Sequence, residues 1–112
     1  MGLTTVAQDS NFQKSNPSAE VASRNITVEY NKLLALDATQ QALFQKKIRE
    51  FELRREKIRN SRMNTMEKAR QMFALRTEEQ EEMRDILTAP QMDVYRKNYN
   101  SIQPVVVDQV DE

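Results

Sequence analysis

Catalysis near neutral pH usually begins with a side chain that titrates or attacks there, and this chain holds few such groups. Its 112 residues include no His, no Cys and a single Gly, at position 2. A Ser or Thr nucleophile therefore has no imidazole to take its proton, and no Gly-rich turn can cradle a phosphate or an oxyanion. No disulfide can form, and a zinc site of the usual kind lacks its ligands. Carboxylates are plentiful at Glu78, Glu79, Glu81 and Glu82. So closely spaced, they read as a solvated helix face without the enclosure that would raise a pKa for acid–base work. This inventory argues against an enzyme and implies neither cofactor nor metal.

Binding chemistry is better represented. Lys46, Lys47, Arg49, Arg54, Arg55, Lys57, Arg59 and Arg62 form a basic run threaded with Phe44, Ile48, Phe51 and Ile58. Met66 and Phe73 follow. Cations beside apolar groups suit weak contact with many partners, and flexible thioethers add adaptability. The same pattern also describes basic side chains snorkelling over a packed seam. Lys plus Arg equals Asp plus Glu at 17 each, so net charge gives no reason to expect nucleic acid. The candidate binding residues are Phe44, Ile48, Phe51, Arg55, Ile58, Arg62, Met66 and Phe73.

Helices must position these groups. Charged residues make up 30% of the chain and hydrophobic ones 38%, and turn formers are too scarce for a β-rich fold. A first helix is predicted from Pro17, with Val21, Ile26, Tyr30 and Leu33 as its stripe. The spacing Phe44, Ile48, Phe51, Arg55, Ile58, Arg62 alternates by four and three, as in a helix packed on another helix. Asn60, Ser61, Asn64 and Thr65 interrupt it with side chains that compete for backbone hydrogen bonds, and Asn64 with Glu67 is predicted to form a capping box at the next helix start. Met66, Ala69, Phe73, Met83 and Leu87 resume the phase. The middle is either an antiparallel hairpin turning near 60–64 or one helix of about fifty residues paired with a second chain. Opposite charges favour the hairpin, with Lys46 and Lys47 brought near Glu78 and Glu79.

Two near-copies frame this middle: Leu36-Asp37-Ala38-Thr39-Gln40 and Leu87-Thr88-Ala89-Pro90-Gln91. In each, Asp37 or Thr88 can cap a helix start while the Gln three residues on reaches back, a capping box. Leu87 with Met92 adds a hydrophobic staple. Thr77-Glu78-Glu79-Gln80 lacks one and reads as helix interior. A last helix is predicted from about Ala89 to Asn98.

The doubled Leu-x-x-x-Gln start resembles the LTxxQ-motif family of exported bacterial proteins, the Spy/CpxP-like periplasmic proteins. The match is best at Ile86-Leu87-Thr88-Ala89-Pro90-Gln91 with Tyr95 beyond, and spans roughly residues 20–100. Asp37 stands for the motif Thr in the first copy, and Pro90 lies one place late in the second. The resemblance implies an all-α fold, a long antiparallel helical hairpin flanked by two shorter helices, dimerising into a shallow cradle. It implies a non-catalytic chaperone-like or envelope-stress protein that holds unfolded or stress-related clients. The family's metal-sensing branch binds through His and finds no counterpart here. The alternative is a structural coiled-coil or adaptor protein with one dedicated partner.

Residues 1–16 read as a disordered N-terminus, within which Thr5, Ala7 and Gln8 resemble the cleavage end of a signal peptide. Export to the periplasm follows from that reading. Residues 17–100 form the helical domain, and 101–112 an acidic disordered tail. No apolar run is long enough to span a bilayer. Leu36, Asp37, Gln40, Leu87, Thr88 and Gln91 are expected to be architectural, with no client contact.

Overall fold

A computed structural model describes residues 17–105, and among these every regular element is helical. Helix α1 spans Pro17–Leu34, α2 Ala38–Arg59, α3 Thr65–Met83 and α4 Ala89–Ile102. The expectations for residues 1–16 and 106–112 lie outside the described residues. Among the described residues no helix is long and apolar enough to cross a membrane.

The middle is a hairpin. Asn60 ends α2, and Asn64 starts α3 by accepting from the Glu67 N–H at 2.8 Å. Glu67 does not complete a capping box; its carboxylate turns to Arg70 and Gln71 instead. Across the turn the Lys68 ammonium donates to the Arg59 carbonyl at 2.7 Å, placing a cation where the helix dipole is negative. The long Lys68 side chain thus ties the start of α3 to the end of α2. The charge register differs from the expected one. Arg54 meets Glu78, Arg55 meets Glu79 and Lys47 meets Glu82, in place of the expected Lys46 and Lys47 with Glu78 and Glu79.

The buried faces of two helices are also corrected. On α3 they are Lys68, Met72, Leu75, Glu79 and Met83, one residue out of step with Met66, Ala69 and Phe73. A continuous helix would preserve the phase of α2, whereas a hairpin must rotate α3 until its face turns back. At 100° per residue, that rotation is one position. On α1 the inner face is Ala19, Ser23, Thr27, Tyr30 and Leu34, while Val21, Val28 and Leu33 are exposed. Small residues let α1 approach α2 closely. The hydroxyls of Ser23 and Thr27 donate to the carbonyls of Glu20 and Ser23 at 2.9 and 2.7 Å, so their burial leaves no donor unpaired.

The core lies where the helix ends cross. Tyr30, Phe44, Tyr95 and Tyr99 pack edge to face, with the Tyr30–Tyr95 pair tilted, at ring centroids 5.2–6.0 Å apart, walled by Leu34, Leu36, Ile48, Met83, Leu87 and Met92. Helix α4 continues to Ile102, a turn beyond the predicted end, because Gln103 is buried and tied to Tyr30. The whole is flat, 45 × 44 × 19 Å, with a radius of gyration of 15.6 Å. A compact domain of this length would have about 12–13 Å.

Candidate functional site

The two repeated motifs meet. Asp37 accepts from the Gln40 N–H at 2.8 Å and Thr88 from the Gln91 N–H at 3.3 Å. Each Gln returns its side-chain oxygen to the N–H of its own cap residue, at 3.1 and 2.9 Å. The two carboxamides then bond each other. Gln40 Nε2 donates to Gln91 Oε1 at 2.7 Å and Gln91 Nε2 to Gln40 Oε1 at 3.2 Å. Their remaining hydrogens go to the carbonyls of Ile86 and Leu34 at 3.0 and 3.1 Å. Leu36 and Leu87 are buried beneath. One short clasp therefore ties the α1–α2 corner to the α3–α4 corner.

A second polar centre sits inside the hairpin. Glu79 is 0% exposed and Arg55 12%. Arg55 Nη1 and Nη2 donate to Glu79 at 3.1 and 3.3 Å, and its Nε and Nη2 to Glu52 at 2.9 and 2.7 Å. Tyr99 Oη donates to Glu79 at 2.7 Å and Gln103 Nε2 at 3.4 Å, while Tyr30 Oη donates to Gln103 at 2.8 Å. Burial disfavours the Arg55 cation, but the charge and hydrogen bonds of Glu79 outweigh it and drive its pKa up. Burial also pushes the phenols of Tyr30, Tyr95 and Tyr99 far above their ordinary range, with Glu79 adding to the effect. The Tyr95 hydroxyl is buried with no hydrogen-bond partner. Helices α2, α3 and α4 thus meet at one carboxylate, and α1 reaches it through Gln103.

The candidate binding residues separate into three groups. Phe44, Ile48 and Phe51 are buried in the core, so the folded chain does not present them to a partner. Arg55 is committed to Glu52 and Glu79, and Ile58 is half-buried. Arg62, Met66 and Phe73 are exposed, Met66 at 69% and Phe73 at 52%. Met66, Arg70 and Phe73 fall at i, i+4 and i+7 on α3 and share its outer face. Glu79 is corrected from the solvated acidic face to the polar centre. A signal for it existed: it fills the gap between Leu75 and Met83 in the buried stripe, opposite a cation placed in the seam of α2. Glu78, by contrast, is exposed, and the Arg54 guanidinium holds its carboxyl below the usual range.

A pocket of about 220 Å³ opens beside the polar centre. Ile26, Arg59, Met72, Ile102, Pro104 and Val105 form part of its wall, and it draws residues from all four helices. No group of three or more acids among the described residues is placed to hold a metal ion. Comparison with protein-family models, curated proteins and solved structures returned no match.

Proposed function

We propose that this chain is a non-catalytic binding protein of the Spy/CpxP-like kind, which holds unfolded or stress-related client proteins outside the cytoplasm and acts as a homodimer. The observation that carries the reading is the outer face of α3. There Met66 and Phe73 stand largely exposed on an otherwise charged helix, with Arg70 between them and Arg62 in the adjoining turn. Two large apolar groups kept in water cost free energy unless something covers them part of the time. Flanking cations keep such a surface soluble and favour loose contact. The flat, two-cornered helical frame and its paired Leu-x-x-x-Gln starts agree with the family resemblance.

The contact surface on this reading is narrower than the sequence implies, comprising Arg62, Met66 and Phe73 with the half-buried Ile58. Suppression of aggregation of a chemically denatured client tests it. The chain should suppress light scattering at near-stoichiometric ratio, and Met66→Ser/Phe73→Ser should lose most of that effect with an unchanged melting curve. Failure of the unaltered chain removes the chaperone reading. A chain inert toward generic clients that forms a saturable one-to-one complex is the adaptor.

A further inference from the structure

We propose that the outer face of α2 is a self-complementary docking surface whose partner is a second copy of this chain, the two α2 helices lying antiparallel about residue 48. The proposal rests on the homodimer part of the reading above and not on its client. Phe44, Ile48 and Phe51 fix the inner face of α2. Arg49 reaches α1 at Glu20 and Arg54 reaches α3 at Glu78, so the neighbours flank the helix and its back faces outward. On that back Thr39, Leu43, Lys46, Glu50 and Lys57 are exposed and Leu53 is half-buried. Their spacing alternates by four and three, the seam of a helix that packs on another, on the side away from the seam already used within the chain.

The seam is complementary to itself. Positions 43 and 53, 46 and 50, and 39 and 57 share one midpoint, residue 48. A two-fold axis there sets Leu43 against Leu53 of the second copy and Lys46 against its Glu50, each contact occurring twice as an isologous interface requires. Parallel helices in register would instead set Lys46 on Lys46 and Glu50 on Glu50. The charges are available for this use. Lys46 has no ion pair among the described residues, and Glu50 shares Lys47 with Glu82, at 3.5 Å against 2.8 Å, with its side chain 45% exposed. Leu43 is 47% exposed. Beside it runs a groove of about 270 Å³, lined also by Lys46, Glu50 and Ile86, which gives the incoming Leu53 a recess. Two leucine layers with polar ends at Thr39 and Lys57 make a small contact, so the dimer belongs to the weak, micromolar class.

Charge reversal tests the register, because Lys46 and Glu50 are exposed and outside the core. Sedimentation equilibrium of the full-length chain measures the dimer dissociation constant. Lys46→Glu and Glu50→Lys, each alone, set like charges across both contacts and should raise that constant by about tenfold or more. An equimolar mixture of the two variants should regain association as a heterodimer. Lys46→Glu/Glu50→Lys should regain it as a homodimer, which shows that neither single change acts through misfolding. An unaltered chain that stays monomeric at submillimolar concentration overturns the proposal. So do single variants that neither the mixture nor the double variant rescues. A dimer indifferent to both reversals overturns this face while leaving the homodimer on another. Client holding is read separately, by light scattering with Met66→Ser/Phe73→Ser, so the two readings fail independently.

Discussion

Removing Arg55 is the most informative perturbation of this fold. Arg55→Met keeps the aliphatic stem and volume but strips Glu79 of its cation, leaving Tyr99 and Gln103 as its hydrogen-bond partners. A carboxylate at 0% exposure has no water to turn to, and breaking a buried pair from one side costs about 3–5 kcal/mol. A domain of this size is stable by roughly 4–13 kcal/mol, so the loss takes a large share of the total. Arg54→Met supplies the contrast. Its partner Glu78 is exposed and the pair is worth less than about 1 kcal/mol. Urea unfolding followed by far-UV circular dichroism measures both, and the Arg55→Met/Glu79→Met double variant completes the cycle. The double variant should cost clearly less than the two single changes added, by about 2–3 kcal/mol of coupling. If Arg55→Met costs no more than Arg54→Met, the buried network is not what joins α2, α3 and α4.

The three tyrosines of the chain are all buried, and their folded pKa values lie above the ordinary value near 10. Stability from this source is fully present below pH about 10 and falls as pH rises toward the folded values, by about 4 kcal/mol per pH unit once all three ionise only in the unfolded chain. Tyrosinate absorbance should therefore appear in a single step coincident with loss of helix; gradual titration of a folded chain would contradict it. Ala35 closes α1 at φ 51° with a Cβ, so Ala35→Gly should gain about 0.5–1 kcal/mol in the same urea assay. Gln91→Ala loses a cap partner and the clasp together and should cost about 1–2 kcal/mol. In the Gln40→Ala background the further cost should shrink, and simple additivity would mean that the two corners stand independently.

Legibility in the sequence tracks how local each signal is. The helix starts at Asp37, Asn64 and Thr88 and the turn at 60–64 rest on side chains within three residues of the backbone they serve, and the structure has them where the spacing puts them. The faces of α1 and α3 depend on partners far away in sequence. Val21 and Leu33 are larger than Ala19, Ser23 and Thr27, so hydrophobicity alone selects the wrong side. Only the close approach of α2 makes the small residues the interior ones. Met66 and Phe73 continue the phase of α2, but a hairpin breaks that phase. Among the candidate binding residues, Arg62, Met66 and Phe73 proved accessible while Phe44, Ile48 and Phe51 were spent on the core. Glu79 was hidden by its neighbours: four acids in five positions look solvated until Arg55 is recognised as the charge they must answer.

The 19 Å thickness of the molecule has a consequence for how it responds to temperature. A plate about one buried layer deep withholds less apolar surface from water than a sphere of equal length. Heat capacity and denaturant sensitivity of unfolding both scale with the surface newly exposed. The stability curve of this chain should therefore be shallow, changing little across a wide temperature range, with a broad unfolding transition in a calorimetric scan. The same flatness that leaves Met66 and Phe73 in water thus also lowers the heat-capacity change and the denaturant slope that accompany loss of the whole frame.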